Sequence, residues 1–525
     1  MKKHRPKAAV GVLALVLAGA ANAQSMAHMP GMKMPMPAAK PAARKPQPKK
    51  AAARKPSKAR PSATKPVAGK PAPRKTPVAP RPAAAPVEHG HTEMSGMDMA
   101  QSPAPPTGAG HQQAIDHQMD MSQPEMASIS AMDHGPAGHM AMRGALGTYG
   151  STREASGTAW QPDSSQHRGY MRQAGDWMLM LHGNLDLVAD SQGSRRGDSR
   201  IFPAGMVMAM ATRSFASGNA LQFKAMLSPD PLMGKSGYPL LLASGETADG
   251  ETRLIDRQHP HDLFMELSGS YSVKLSEKSS AFVYGGLPGE PAFGPPAFMH
   301  RQSIMVSPEA PITHHWLDST HITFGVVTAG LVLDEVKLEA SRFNAREPDQ
   351  HRYNIETGPL DSTSLRLSWN PTRDISLQGS WAHLTEPEQL EPGVDQRRWS
   401  ASAIYTRPTA NGWWSSTLAW GRKTIDGRRQ DAFALESSIK RDSWTLFGRG
   451  ELAENNELVP GLDHGPVYRV GKASLGLARD VDLAGPFSVT LGALGSVNFI
   501  PSPLADAYGK KHPPGAMAFL RFKVD

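Results

Sequence analysis

The 525-residue sequence contains no cysteine, which excludes both disulfide bonds and thiolate ligands. Any soft metal ion would therefore have to be bound by methionine or histidine. Acidic residues are also missing from residues 1–87, which hold 19 Lys and Arg residues, and Glu88 is the first acid. Residues 88–525 hold 38 basic and 48 acidic residues, so the net charge of +9 originates in the N-terminal part alone.

Long apolar runs are scarce, and no window offers the ~20 apolar residues that a membrane-spanning helix needs. The apolar run at residues 10–20 follows a basic segment at 2–7 and precedes the small residues 21–23. This order predicts a signal peptide at residues 1–23 and export from the cytoplasm. Because the positive charge lies in the Pro- and Ala-rich tail of an exported chain, we expect no nucleic-acid partner.

Residues 24–145 contain almost no Leu, Ile, Val or aromatic residues, which predicts a disordered N-terminal tail. Within it, residues 38–87 form a tract rich in Lys, Arg, Pro and Ala. Its prolines favour an extended polyproline II chain of ~3.1 Å per residue. We interpret this tract as a spacer that could also contact anionic cell-wall polymer.

Methionine and histidine recur together in four polar stretches of the tail, "HGHTEMSGMDMA" (89–100), "AIDHQMDMS" (114–122), "SAMDHG" (130–135) and "GHMAM" (138–142). Thioether is a soft ligand for Cu(I), and imidazole binds both copper ions. In an extended chain residues i and i+2 project to the same side, so each Met-x-Met pair can close on one ion. The predicted copper ligands are His89, His91, Met94, Met97, Met99, Asp116, His117, Met119, Met121, Met132, His134, His139, Met140 and Met142. The alternative is a linker without ligand function.

From about residue 170 onward, apolar and polar residues alternate with period two. At 485–499, for example, Phe487, Val489 and Leu491 alternate with Ser488 and Thr490. Such long strands, with one apolar and one small-polar face, are typical of transmembrane barrels. The alternation predicts sixteen strands, near 176–190, 203–215, 219–228, 262–276, 280–287, 319–328, 333–344, 362–370, 374–384, 397–407, 412–422, 431–440, 443–453, 466–480, 485–499 and 514–524.

The predicted connections alternate between short turns and long loops, the latter including 229–261, 288–318 and 423–430. This alternation is typical of bacterial barrels with short periplasmic turns. Trp414 and Trp420 lie six residues apart on one apolar face, roughly 15 Å on a tilted strand, which fits two interfacial aromatic girdles. We therefore predict an all-β, transmembrane antiparallel β-barrel of about sixteen strands over residues 170–525. A soluble β-sandwich is the alternative.

With this architecture the chain resembles Gram-negative outer-membrane β-barrel proteins. The tail motifs "MSGMDM", "DHQMDM" and "AMDHG" make it similar to the copper-resistance outer-membrane proteins of the B type. The resemblance covers residues 89–142 by motif and 170–525 by architecture only. It implies copper tolerance at the outer membrane, with the tail as a periplasmic copper ligand.

A second group of candidate ligands lies in "DRQHPHD" at 256–262. His259 and His261, flanked by Asp256 and Asp262, place four nitrogen or oxygen ligands within seven residues, enough for zinc or copper. Pro260 holds the two histidines in extended geometry, which favours the alternative of structural hydrogen bonding inside the barrel mouth.

The sequence contains no nucleophile elbow, P-loop or dinucleotide fingerprint, so we expect no enzyme and assign no catalytic or cofactor-binding residue. The predicted function is an outer-membrane barrel for copper binding, tolerance or export, with the Met/His-rich periplasmic tail as Cu(I) ligand. The alternative is a general porin or surface binding barrel whose tail is only a cell-wall tether. Expected partners are outer-membrane lipid, copper ions, and cell-wall polymer or periplasmic metal-handling proteins.

Overall fold

The structure is a computed structural model, and it describes residues 142–166, 169–462 and 465–524. The predicted signal peptide lies outside the described residues. So do the predicted tail ligands from His89 to Met140, whereas Met142 is described.

The described residues form nineteen β-strands, numbered here in chain order: β1 (Tyr170–Ala174), β2 (Trp177–Gln192), β3 (Ser199–Ser214), β4 (Ala220–Leu227), β5 (Tyr238–Thr247), β6 (Arg253–Gln258), β7 (Phe264–Ser276), β8 (Ser279–Gly286), β9 (Val326–Leu333), β10 (Val336–Phe343), β11 (Ser362–Thr372), β12 (Ile375–Leu384), β13 (Gln396–Thr409), β14 (Gly412–Ile425), β15 (Arg428–Arg441), β16 (Trp444–Asn455), β17 (Tyr468–Asp482), β18 (Phe487–Phe499) and β19 (Pro514–Val524). One-turn α-helices span His314–Leu317 and Ala505–Tyr508. Short 3-10 helices span Ser151–Arg153, Asp230–Met233, Phe298–His300, Ser319–His321 and Ser502–Leu504.

Sixteen of these strands close into a barrel, which confirms the predicted fold and strand number. β2, β3, β4 and β7 to β19 each pair antiparallel with the next barrel strand, and β19 pairs back onto β2 from Val524↔Gly183 to Gly515↔Gln192. The short β1 pairs with the first part of β2, beyond the end of β19. β5 and β6 form a separate hairpin within the long β4–β7 connection.

The strands follow the alternation that the sequence predicts. On β15, Phe433, Leu435 and Ile439 are exposed, whereas the intervening Ala434 and Glu436 are buried inside the barrel. The barrel therefore presents apolar side chains outward, as a lipid-facing wall does. No helix in the described part of the chain is long and apolar enough to cross a membrane.

Aromatic side chains cluster on the outer surface near both ends of neighbouring strands. The ring centroids of Trp381 and Trp399 lie 6.5 Å apart near the ends where β12 and β13 meet their long loop. Those of Tyr405 and Trp414 lie 5.3 Å apart near the opposite, short-turn end. Trp420 lies on the same outward face as Trp414. This arrangement agrees with two interfacial girdles.

Two predicted elements differ from the structure. The strand predicted at 319–328 begins only at Val326, because Ser319–His321 is a 3-10 helix and Ile322 and Phe324 are buried in a loop inside the barrel. Apolar residues at alternate positions of this loop give the same sequence pattern as a strand. The predicted long loop at 423–430 is a two-residue turn at Asp426 and Gly427, whose φ angles of 48° and 78° suit the tight turn of a hairpin.

Two segments fold inside the barrel. The inner segment, residues 142–166, is bonded to inward polar side chains: Ser272 donates to the carbonyl of Ala145 (2.7 Å), and Asn370 donates to that of Gln161 (2.9 Å). Residues 142–145 of this segment, which the sequence assigns to the disordered tail, are therefore part of the barrel interior.

The inner loop, residues 287–325, connects β8 to β9 and packs against the wall formed by β13 to β16. The Arg301 guanidinium donates to Glu436 of β15 at 2.8 and 2.6 Å. Ser438 of the same strand donates to the carbonyl of Ser303 (2.6 Å). The loop thus occupies part of the lumen.

Candidate functional site: the barrel lumen

The inward faces of β2 and β3 carry sulfur and imidazole at alternate positions. These residues, which we call the Met wall, are Met178, Met180, His182, Met206, Met208 and Met210. The antiparallel register sets Met180 opposite Met210 and His182 opposite Met208. Period-two spacing on both strands thus forms one continuous ladder of soft ligands.

A cavity of about 510 Å³ opens beside the Met wall. The inner loop contributes Met299, His300 and Met305 to its lining, and the inner segment contributes Met142. The ring centroids of His182 and His300 lie 6.3 Å apart across it. The cavity therefore brings side chains from three separate parts of the chain together.

Methionine is concentrated around this cavity and does not line the barrel as a whole. Eight of the thirteen methionines in residues 142–525 line it. Two more, Met226 and Met265, are buried with Met206, Met208 and Phe324 in the adjacent apolar cluster. Met265 points inward because the β4–β7 register shifts next to Met226. A β-bulge reverses the side-chain alternation at that point.

One ion pair fixes the geometry of the cavity wall. Arg521 of β19 donates to both carboxylate oxygens of Asp186 on β2, at 2.8 and 2.6 Å. Its third contact is the carbonyl of Met305, at 2.8 Å. The pair balances its own charge and anchors the inner loop beside the Met wall.

The arrangement suits a soft, weakly hydrated cation. Thioether sulfur and imidazole nitrogen bind Cu(I), and thioethers carry no charge that would attract hard cations such as Mg²⁺ or Ca²⁺. Methionine also fills irregular apolar gaps, but leucine could do that equally well. The concentration of methionine sulfur beside an open cavity therefore favours metal binding over packing as the role of these residues.

The Met wall was not among the residues predicted from the sequence, although the sequence contains a signal for it. Met178 and Met180 have the same strand parity as Asp186 and Asp190, which mark the lumen face of β2. On β3 both faces are apolar, since Val207, Ala209 and Ala211 face outward, so alternation alone does not identify the lumen face there. Met142, a predicted ligand, does lie in the cavity.

The motif "DRQHPHD" does not bring its own four candidate ligands together. Asp256 accepts from Tyr508 (2.8 Å) and pairs with Arg196 (2.6 Å). Asp262 pairs with Arg352 (3.4 Å). The predicted ligands His259 and His261 instead face histidines of the inner loop.

We call this group the inner histidine cluster: His259, His261, His314, His315 and His321. Neighbouring rings have centroids 5.2 to 6.3 Å apart. Burial lowers the pKa of His259, and nearby Arg352 adds to the effect. Burial also lowers the pKa of His321. Both rings are therefore neutral at pH 7 and keep a lone pair. Among the described residues, no three His, Asp or Glu side chains already form a metal-binding set.

The opposite side of the lumen is charged. We call its inward residues the charged wall: Lys337, Glu339, Arg366, Glu436, Arg449, Glu451 and Lys472, all buried. Arg366 pairs with Glu339 at 3.0 Å, and Arg449 pairs with Glu451 at 3.0 Å. Lys472 pairs with Glu309 of the inner loop. These charges satisfy one another, as buried charges must.

Comparison with solved structures finds outer-membrane proteins among the similar chains. The sequence matches no family model and no curated protein. Similar solved structures include OmpF of Salmonella typhi in complex with daunomycin (10% identity, 67% of this chain and 100% of that chain, TM-score 0.42). They also include OprB of Pseudomonas putida at high pH (8%, 66% and 94%, 0.43) and outer-membrane OmpT of Vibrio cholerae (9%, 67% and 100%, 0.39). Likeness at this level carries no information on function.

Proposed function

We propose that this protein is an outer-membrane barrel that binds Cu(I) in its Met-lined cavity and serves copper tolerance or export. The observation that carries this proposal is the gathering of eight methionines and two histidines around one cavity. Neutral sulfur ligands select Cu(I) over the abundant hard cations. The role is one of binding and transfer, without catalysis.

The position of the cavity supports transfer between the tail and the lumen. Gly175 and Asp176, in the β1–β2 turn, and Val524, at the end of β19, belong to its lining. The cavity thus lies at the end of the barrel that carries the short turns, which we assign to the periplasm. Met142 belongs both to the Met/His repeats of the sequence and to the cavity lining. The tail would then deliver copper to the Met wall.

The binding test replaces sulfur and keeps volume. In full-length protein, the triple variant Met206→Leu, Met208→Leu, Met210→Leu should bind at least one Cu(I) equivalent fewer than the unaltered chain, in competition with a colorimetric Cu(I) chelator. The control replaces methionines that do not line the cavity, Met171, Met233 and Met517, and should leave the stoichiometry unchanged. Equal Cu(I) binding by both triple variants contradicts the proposal.

The cellular test separates copper handling from a general porin. Deleting the gene should sensitise cells to copper, and the full-length gene should restore tolerance while the Met wall variant should not. If tolerance is unchanged on deletion, the barrel is a porin or surface binding protein whose tail is only a tether.

A further inference from the structure

The histidines of the inner histidine cluster each have Nδ1 close to an oxygen atom. Three of them, His261, His314 and His321, have Nδ1 hydrogen-bonded to a carboxylate or carbonyl oxygen, so Nδ1 is the donor nitrogen of these rings. The side-chain pairs are His259 with Glu246 (3.2 Å), His261 with Asp230 (2.8 Å), His314 with Asp318 (2.8 Å) and His315 with Glu347 (3.3 Å). His321 Nδ1 lies 2.7 Å from the backbone carbonyl of Asp318.

This orientation leaves Nε2 as the available nitrogen of these three rings. Within the described residues, Nε2 of His259, His261 and His321 is buried and has no hydrogen-bond partner. A buried nitrogen without a partner is costly, by ~1–3 kcal/mol. Histidines that bind metal characteristically donate Nδ1 to a carboxylate or carbonyl and coordinate through Nε2. The unpartnered Nε2 atoms of His261 and His321, each behind such an anchor, indicate a ligand. His314 has the same kind of anchor through its Nδ1.

His321 lies at the spacing that a shared metal ion requires from two other rings. The centroids of His261 and His321 lie 5.2 Å apart, and those of His314 and His321 also lie 5.2 Å apart. Two imidazoles bound at ~2.0–2.1 Å to one tetrahedral ion have centroids about 5 Å apart. The rings must still turn toward a common centre, since the described side chains hold no ready-made ligand set.

The surroundings suit a divalent cation. The carboxylates of Asp230 and Asp318 each hold one of these three rings, and carboxylates behind ligating histidines raise their basicity. Asp318 also pairs with Arg301 at 2.6 Å, and Arg301 in turn pairs with Glu436 of the charged wall at 2.6 Å. Nitrogen ligands favour Zn²⁺ or Cu²⁺, whereas the Met wall favours Cu(I).

We propose that His261, His314 and His321 bind one divalent ion, Zn²⁺ or Cu²⁺, through their Nε2 atoms. His261 precedes β7, and the other two belong to the inner loop. The ion therefore ties the β6–β7 connection to the inner loop and holds that loop inside the barrel. This site is separate from the Met wall and does not rest on the copper proposal.

Zinc is the probe for the test, in full-length protein. The double variant His261→Ala, His321→Ala should bind one Zn²⁺ equivalent fewer than the unaltered chain. Added Zn²⁺ should raise the thermal unfolding midpoint of the unaltered chain and not that of the variant. The control, His351→Ala with His383→Ala, removes two histidines that also face carboxylates, Asp349 and Asp395, but lie outside the cluster. It should keep the full Zn²⁺ stoichiometry.

If the double variant does not fold, His261→Gln provides the same comparison, because its amide can still donate to Asp230. Tail histidines are present in every variant, so the differences report on the cluster alone. Equal zinc stoichiometry in the unaltered chain and the cluster variants would overturn the proposal and make the histidines purely structural. Loss of zinc binding with unchanged Cu(I) binding would support it independently of the Met wall.

Discussion

The Met wall and the charged wall face the same lumen but are built from opposite chemistry. The Met wall offers neutral, polarisable sulfur beside an open cavity, and the charged wall offers buried ion pairs such as Arg449 with Glu451. Residues 306–525, which form the charged wall, contain a single methionine, Met517.

This difference indicates that one barrel can anchor its inner loop on one side of the lumen and bind a ligand on the other. Paired charges on one side hold the inner loop in place, since Arg301 reaches both Asp318 and Glu436 at 2.6 Å. Those charges satisfy each other and leave little for a passing cation. The opposite side also holds ion pairs, Arg521 with Asp186 and Lys224 with Glu266, but its β2 and β3 strands present sulfur and imidazole to the cavity.

The largest expected effect is on the charged wall. Arg301→Met leaves the carboxylates of Asp318 and Glu436 buried without their cation, and we expect it to lower the free energy of unfolding by ~3–5 kcal/mol. Urea unfolding of the barrel in lipid vesicles measures this. Release of the inner loop should also raise ion conductance in planar bilayers.

The matched control is Arg422→Met on the outer surface of β14. Arg422 pairs with Asp431 at 2.8 and 2.9 Å, but both side chains are partly exposed, so the cost should be ~0–1 kcal/mol. Equal losses for Arg301 and Arg422 would mean that the inner pairs do not anchor the loop.

The barrel register could be predicted from the sequence because period-two alternation is a local property. On β18, the spacing of Phe487, Val489 and Leu491 alone identifies the outward face. The folding of the inner loop could not be predicted, because it depends on contacts such as Arg301 with Glu436, 135 residues apart. The sequence identifies His259 and His261 as candidate ligands, but their pairing with the histidines of the inner loop could not be predicted for the same reason, since only the folded loop brings His261 to His321.

The second prediction tests that register. Leu491 is exposed near the middle of β18, so Leu491→Arg would place a charge in the lipid core and cost ~2–4 kcal/mol. Leu483, exposed in the β17–β18 turn, is the control, and Leu483→Arg should cost ~0–1 kcal/mol because it lies at the interface. Gly492 is unsuitable, because a Cβ there would lie 2.2 Å from the Phe519 ring. The two free energies of unfolding in vesicles must differ if the outward face is correct.

The smallest expected effect concerns the Met wall itself. Leucine has nearly the volume of methionine and no polar atom, so Met208→Leu should change the free energy of unfolding by less than ~1.5 kcal/mol. Met208→Ser, which leaves a cavity and introduces a hydroxyl, should cost more, because Met208 is buried in the Met206–Met265 cluster. If the wall serves only packing, the leucine variant should match the unaltered protein in stability and in Cu(I) affinity alike. If sulfur is a ligand, the leucine variant should remain stable while its Cu(I) affinity falls. The loss of affinity should be the same at pH 5 and at pH 7, because a thioether has no proton to gain over that range. A parallel loss of stability and of Cu(I) affinity would instead show that methionine is needed for folding. The Met wall would then have a structural role, as the charged wall does.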